Sequence, residues 1–77
     1  MSIHIQIKLF ASLSQYEPEA PERHPIAPKT SVSDMLEHLG APCDEAKLIF
    51  VNNRRGKLST ILKDGDRVGI FPPVGGG

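Results

Sequence analysis

Apolar and polar residues alternate over the first ten positions, and no other segment constrains the fold of this chain as strongly. The apolar positions are Ile3, Ile5, Ile7 and Leu9, and between and after them stand His4, Gln6, Lys8 and Phe10. Because successive side chains of a strand point to opposite faces, this period of two predicts a β-strand with one buried face. The chain is therefore expected to form a sheet that is covered on one side.

A helix is predicted to begin at Val32. Ser31 can serve as its N-cap, and Asp34 supplies an acidic form of the capping box at the positive end of the helix. Four apolar residues at helical spacing form one stripe: Val32, Met35, Leu36 and Leu39. Gly40 followed by Pro42 gives a natural stop, so the helix is expected to be short and amphipathic.

Three more strands are predicted. Residues 48–51 form an apolar run typical of a central strand, and residues 52–56 have turn composition. Residues 67–71 form the last strand, behind the turn signal Asp64-Gly65-Asp66. Residues 23–27 can form a short edge strand within the proline-rich stretch 18–28, because an edge tolerates a missing N–H group.

This order of elements predicts an α+β fold of the β-grasp type. A first and a last strand with a crossover helix between them favour a mixed sheet of four to five strands whose terminal strands lie side by side. One main helix covers one face. Residues 1–71 are predicted to form the domain and residues 72–77 an extended tail.

Length and charge exclude several classes of protein. The 77 residues suffice for one domain, and nine Lys and Arg balance nine Asp and Glu, so no positive field attracts nucleic acid or an anionic membrane. Cys43 is the single cysteine and cannot form an internal disulfide. The amino terminus lacks a signal-peptide pattern and no apolar run is long enough to cross a bilayer, so a cytoplasmic protein is expected.

The carboxyl-terminal residues combine a stiff segment with a narrow one. The stiff segment, Pro72 and Pro73, is called the neck, and the narrow one consists of the terminal glycines. The segment reads Phe71-Pro72-Pro73-Val74-Gly75-Gly76-Gly77. Proline holds the neck extended, whereas glycine, without a Cβ atom, passes where a side chain would clash. Residues 74–77 reach about 13 Å at roughly 3.3 Å per residue, enough to enter a buried pocket of another protein. The carboxylate of Gly77 is therefore the predicted reactive group, and residues 71–76 are the predicted partner contacts.

These residues resemble the ThiS/MoaD-type sulfur carriers, small ubiquitin-like proteins that end in Gly-Gly. The resemblance covers nearly the whole chain. It is carried by residues 62–74 with the terminal glycines, which resemble the end of the small subunit of molybdopterin synthase, and by Phe10-Ala11-Ser12-Leu13 and residues 31–36. Two features depart from the family pattern: Gly75 makes a third glycine, and the proline-rich stretch lacks an obvious counterpart.

The resemblance implies a protein co-substrate, not an enzyme. An E1-like adenylyltransferase adenylates Gly77 with ATP and Mg²⁺ held on that enzyme, and sulfur then replaces the adenylate to give a thiocarboxylate. The chain itself has no phosphate-binding loop and no nucleotide fingerprint, and no bound cofactor is expected. The implied second partner is the large subunit of molybdopterin synthase or another sulfur-accepting enzyme.

Several functions remain open on the sequence. The double proline favours molybdopterin or tungstopterin biosynthesis, and thiamine or cysteine biosynthesis are alternatives. A ubiquitin-like modifier would use the same activated carboxylate to form isopeptide bonds with lysines. A β-grasp binding module would use no chemistry at Gly77.

The remaining candidate residues carry weaker signals. Cys43 has no activating neighbour at motif spacing, so a persulfide role is not favoured. His4, His24 and His38 lack ligand spacing, and no metal site is predicted. Three basic residues of one turn either dock an acidic partner or are simply solvated: Arg54, Arg55 and Lys57.

Overall fold

A computed structural model describes residues 2–73. Strand β1, Ile3–Leu9, confirms the period of two, because Ile5, Ile7 and Leu9 are buried whereas Gln6 and Lys8 are exposed.

Within the described residues the strands form one five-stranded mixed sheet. Its order is β2-β1-β5-β3-β4. The other strands are β2, His24–Ile26; β3, Leu48–Val51; β4, Arg54–Arg55; and β5, Arg67–Phe71. β1 and β5 pair in parallel and the other three pairs are antiparallel. The terminal strands therefore lie side by side, which confirms the predicted β-grasp arrangement.

Helix α1, Val32–Leu39, begins and ends where predicted, and each end has its own cap. The Ser31 hydroxyl accepts a hydrogen bond from the Asp34 N–H group at 3.1 Å, and the Asp34 carboxylate accepts one from the Ser31 N–H group at 3.4 Å. Gly40 ends the helix at φ 77°, a left-handed conformation that glycine adopts without strain.

The core lies between α1 and one face of the sheet. It consists of Ile5, Ile7, Leu9, Leu13, Ile26, Val32, Met35, Leu36, Ala41, Ile49, Leu62, Val68 and Ile70. Leu39, the fourth residue of the predicted helical stripe, is only partly buried and packs against the margin of this cluster. Burial of aliphatic side chains is the main force that holds the helix on the sheet.

The edge strand β2 is shorter than the predicted 23–27. Pro21 opens a short 3₁₀ helix, Pro21–Arg23, in which the Arg23 N–H group donates to the Ala20 carbonyl at 3.0 Å. Arg23 is therefore part of that turn and not of the strand. Pro25 lies opposite His4 at the sheet edge, the position where a missing N–H group costs least.

The turn predicted after β3, either a hairpin or a tight bend, is a tight hairpin. Asn52 and Asn53 join β3 to β4, and both have positive φ, at 54° and 66°. Two consecutive left-handed residues match the twist of a two-residue hairpin, and asparagine tolerates that conformation.

Replacement of Ser31 by alanine tests the helix cap. Ser31→Ala is expected to lower the free energy of unfolding by about 1 kcal/mol, because the Asp34 N–H group loses its acceptor. Urea denaturation measures this change. Ser12→Ala, at an exposed serine of the 3₁₀ helix Ala11–Tyr16, is the matched control, and an equal loss in both variants would contradict the role of the cap.

Candidate functional site

The face of the sheet opposite α1 carries a cluster of three aromatic rings. The rings of Phe10 and Phe71 stack with centroids 4.0 Å apart and an interplanar angle of 4°. Phe50 meets Phe71 edge to face, at 5.9 Å and 86°. Since stacked and T-shaped pairs are the favoured geometries of aromatic rings, the cluster stiffens this face at the end of β5.

The parallel pairing of β1 with β5 creates this cluster. Leu9 lies opposite Ile70, so the next residues along the two strands, Phe10 and Phe71, are also neighbours. The ring of Phe10 also lies against Gly69, because a Cβ atom at this position would be in ordinary contact with the ring at 3.7 Å. The sequence predicted Phe71 as a partner contact and did not anticipate its stack with Phe10.

The neck of the tail begins at a fixed point. The Phe71 carbonyl accepts a hydrogen bond from the Lys47 N–H group at 3.0 Å, and Phe71 lies opposite Leu48 in the last pair of the β3–β5 ladder. Pro72 is half-buried and Pro73 is exposed. The predicted tail therefore follows directly after Phe71, which is held both by its ring contacts and by the β3–β5 ladder.

Four of the predicted site residues cannot be compared with the structure. Val74, Gly75, Gly76 and Gly77 lie outside the described residues. The role of the Gly77 carboxylate and the contacts of the other three stay predictions.

A groove of about 600 Å³ extends over the open face from the aromatic cluster. Its floor includes Lys8, whose Nζ atom lies 5.9 Å from the centroid of the Phe10 ring. Glu17, Pro21 and Glu22 line it on the β2 side, Arg67 lines it at the start of the central strand β5, and Asn53 lines it on the β3 side. An aromatic patch surrounded by polar and charged side chains is a usual composition of a surface that binds another protein.

Glu17 holds the end of β1 in place. Its carboxylate accepts a hydrogen bond from the Leu9 N–H group at 2.8 Å. The pairing of β2 with β1 stops at Ile5, so this carboxylate takes the role of an absent strand carbonyl. No local sequence motif predicts this contact. Glu17 reaches Leu9 only because of the path that the chain takes between β1 and β2.

Cys43 lies in a setting that suppresses reactivity. It is half-buried, and its thiol donates to the Ser33 carbonyl at an Sγ to O distance of 3.8 Å. Burial raises the pKa of the Cys43 thiol, and the negative charges of Glu37 and Asp44 raise it further. A thiol with a raised pKa carries little thiolate at neutral pH, which disfavours sulfur chemistry at this site.

The fold divides the basic residues of the β3–β4 turn. Arg55 lies opposite Phe50 and therefore shares the open face, whereas Arg54 lies opposite the core-facing strand position of Val51. Lys57 follows β4 and is exposed. The sequence predicted that the three basic residues form one cluster. Only the pairing register of β3 with β4 shows that Arg54 and Arg55 lie on opposite faces of the sheet.

The histidines lie on separate elements. His4 is in β1, His24 in β2 and His38 in the last turn of α1. Burial lowers the pKa of His24, with a smaller contribution from His38. In the part of the chain that the structure describes, no group of three His, Cys, Asp or Glu side chains could hold a metal ion, and no helix could span a bilayer.

Comparison with known proteins gives one family and a set of similar folds. The profile of the ThiS family matches residues 7–77. No protein of curated function matches the sequence significantly. Among solved structures, the HVO 2177 protein of Haloferax volcanii has a TM-score of 0.73 and 22% identity, over 99% of this chain and 88% of its own. At this identity the likeness shows the fold alone.

Two other solved structures have higher identity. Small archaeal modifier protein 1 of Methanosarcina acetivorans is 27% identical, with a TM-score of 0.63 over 100% of this chain and 99% of its own. A Pyrococcus furiosus protein assigned as subunit 1 of the molybdopterin converting factor is 29% identical, with a TM-score of 0.62 over 95% of this chain and 100% of its own.

Replacement of Glu17 tests the anchor of β1. Glu17→Ala is expected to lower the free energy of unfolding by about 1 to 2 kcal/mol, because the Leu9 N–H group is left without its acceptor. Glu17→Gln keeps an acceptor oxygen and is expected to lose less. Urea denaturation compares both with Glu19→Ala, at an exposed carboxylate nearby. Equal stability of all three would show that the hydrogen bond contributes nothing.

The raised pKa of Cys43 predicts slow alkylation. Iodoacetamide is expected to react with the folded protein more slowly at pH 7 than with the urea-unfolded chain, and the rate is expected to rise with pH beyond the range of an ordinary thiol, since only the thiolate reacts. Intact mass against time measures both rates. Faster reaction in the folded state would contradict this and reopen a role for Cys43 in sulfur transfer.

Proposed function

This chain belongs to the ThiS family, and we propose that it is a sulfur carrier whose reactive group is the carboxylate of Gly77. The observation that carries the proposal is the family match through residue 77, joined to a neck that starts from a rigidly held Phe71. A rigid base lowers the entropy that is lost when a partner captures the following segment.

The proposed chemistry has two steps, both performed on a partner. The Gly77 carboxylate attacks the α-phosphorus of ATP, pyrophosphate leaves, and an acyl adenylate remains. Hydrosulfide from a sulfide-level sulfur donor then attacks the acyl carbon and displaces AMP, which carries away one of the original carboxylate oxygens, so that a thiocarboxylate remains. ATP and Mg²⁺ are held by an E1-like adenylyltransferase, so this chain acts as a co-substrate without a cofactor of its own. The dependence on ATP favours the cytoplasm as the compartment.

The open face beside the neck is the proposed docking surface for this enzyme. A carrier tail of a few residues brings its partner within a short distance of Phe71, and the groove with its aromatic floor begins there. The other face of the sheet is filled by α1 and the core. Pro72, Pro73, Val74, Gly75 and Gly76 are the proposed contacts inside the enzyme.

Molybdopterin or tungstopterin biosynthesis is the proposed pathway. The support is the likeness to the Pyrococcus furiosus protein assigned to the molybdopterin converting factor, together with the double proline before the tail. In that pathway the large subunit of molybdopterin synthase would receive the sulfur. Sulfur carriage to thiamine or cysteine biosynthesis would use the same terminal chemistry with a different acceptor.

A second candidate function is a protein modifier. The likeness to small archaeal modifier protein 1 of Methanosarcina acetivorans favours it, and the same adenylated carboxylate would then pass to a lysine amine of a target protein. The two functions differ in product: a free thiocarboxylate in one case and an isopeptide bond in the other.

The decisive test is the intact mass of the protein after incubation with its activating enzyme, ATP and a sulfur donor. The wild-type chain is expected to gain the mass difference of sulfur for oxygen. A variant that lacks all three terminal glycines and a variant with one serine added after Gly77 are expected to gain nothing while keeping the wild-type circular dichroism spectrum.

Three results would count against the carrier. A mass gain that persists in both of these variants would place the chemistry away from the terminal carboxylate. Isopeptide-linked products in place of thiocarboxylate would favour the modifier. An unchanged mass with every adenylating enzyme of the host would favour a plain binding module.

A further inference from the structure

The turn that leads into β5 contains a dipeptide that can modify itself. Asp64 is followed by Gly65, whereas the other three aspartates of the chain precede methionine, glutamate and arginine. Glycine has no Cβ atom beside its N–H group, so its nitrogen can approach the side chain of a preceding aspartate. Asp64 is therefore the candidate in this chain for spontaneous isomerisation to isoaspartate.

The isomerisation needs no reagent except water. The Gly65 nitrogen attacks the Cγ atom of Asp64 and gives up its proton, and one side-chain oxygen leaves as water, so that a succinimide ring joins the two residues. Water then adds to the main-chain carbonyl carbon of Asp64 and breaks its bond to the Gly65 nitrogen. The chain afterwards runs through the Cβ and Cγ atoms, and the former main-chain carbon becomes a free carboxylate.

The folded turn fixes the conformation of both residues. The Asp66 N–H group donates to the Lys63 carbonyl at 3.0 Å, and Gly65 has φ 85°. A positive φ at the third position alone is typical of a type II turn, which glycine adopts without strain. The Asp66 carboxylate braces the turn, because it accepts a hydrogen bond from the Lys63 N–H group at 2.8 Å.

His4 of β1 binds both groups that would have to react. Its N–H group donates to Asp64 Oδ1 at 2.9 Å, and its carbonyl accepts a hydrogen bond from the Gly65 N–H group at 2.7 Å. The nitrogen must leave its acceptor and the carboxylate its donor before the ring can close. Asp64 and Gly65 are both exposed, so these hydrogen bonds, and not exclusion of water, protect the site.

The two hydrogen bonds to His4 extend the pairing of β1 with β5. The Gln6 N–H group donates to the Asp66 carbonyl at 2.9 Å, where the β1–β5 ladder begins. Farther along the same ladder, Ile7 and Val68 are paired and buried. Separation of the two strands therefore exposes the core, and it requires unfolding of the domain in place of a local movement of the turn.

We propose that Asp64 isomerises only in molecules in which β1 has separated from β5, so that isoaspartate at this position marks chains that have unfolded. The proposal does not depend on the proposed function. Isoaspartate adds one carbon atom to the main chain between Lys63 and Gly65. The Asp64 carboxylate and the Gly65 N–H group then no longer match the spacing of the His4 donor and acceptor, and the modified chain is expected to refold with a lower thermal midpoint.

The rate of isomerisation at urea concentrations below the unfolding midpoint tests the proposal. The free energy of unfolding falls linearly with urea, so the unfolded fraction rises steeply, and circular dichroism measures it. The rate is expected to be proportional to this fraction. Endoproteinase Asp-N cuts before aspartate and not before isoaspartate, so the uncut peptide reports the modified fraction. A rate that does not change with urea up to the transition would show local opening of the turn and overturn the proposal.

A distant substitution gives a second test at constant urea. Ser31→Ala removes the cap of α1 without touching the turn, and it is expected to accelerate isomerisation about fivefold, the factor that corresponds to about 1 kcal/mol of stability. Ser12→Ala is expected to keep the wild-type rate. An unchanged rate in Ser31→Ala, with its loss of stability confirmed, would contradict control by global unfolding.

Two substitutions at Asp64 test the chemistry. Asp64→Asn keeps the acceptor oxygen for the His4 N–H group and closes the same ring with loss of ammonia, so intact mass is expected to show the same dependence on urea. Asp64→Ser cannot close the ring, and its peptide that contains residues 64 and 65 is expected to remain one species in chromatography. A fully unfolded wild-type chain that forms no isoaspartate at Asp64 would overturn the site itself.

Discussion

The parallel pairing of β1 with β5 is the interaction on which the rest of the structure depends. It joins residues near the two ends of the chain, with Gln6 opposite Arg67 and Leu9 opposite Ile70. Parallel strands need a crossover, and here the crossover carries α1 over the core face. On that face Ile7 and Val68 are paired and buried, so the hydrogen-bonded ladder and the apolar core stabilise the same arrangement.

The same pairing also produces the opposite face. A strand that buries every second residue must present the others, and the register brings Phe10 beside Phe71 at the end where the tail begins. The aromatic cluster on the open face therefore follows from the same strand register that builds the core. The aliphatic core and the aromatic cluster therefore lie on opposite sides of the sheet.

The proposed function depends on partners, because the reaction needs nucleotide and sulfur that other proteins supply. The described residues provide a rigid base, a neck and a groove beside it. The fold is similar to those of both a modifier and a converting-factor subunit. This is physically reasonable, because an activated carboxylate serves both outcomes and the attacking nucleophile, a sulfur donor or an amine, decides the product.

Much of the local structure is determined by the sequence alone. The alternation of β1, the cap at Ser31 and the stop at Gly40 depend on neighbouring residues, and the structure confirms each of them. Only the tertiary structure decided which residues meet across the sheet. The stack of Phe10 on Phe71, the Glu17 carboxylate at Leu9 and the separation of Arg54 from Arg55 all follow from register and chain path. The alternation within a strand determines which of its side chains face the core, whereas the partner of each residue across the sheet depends on how strands distant in sequence assemble.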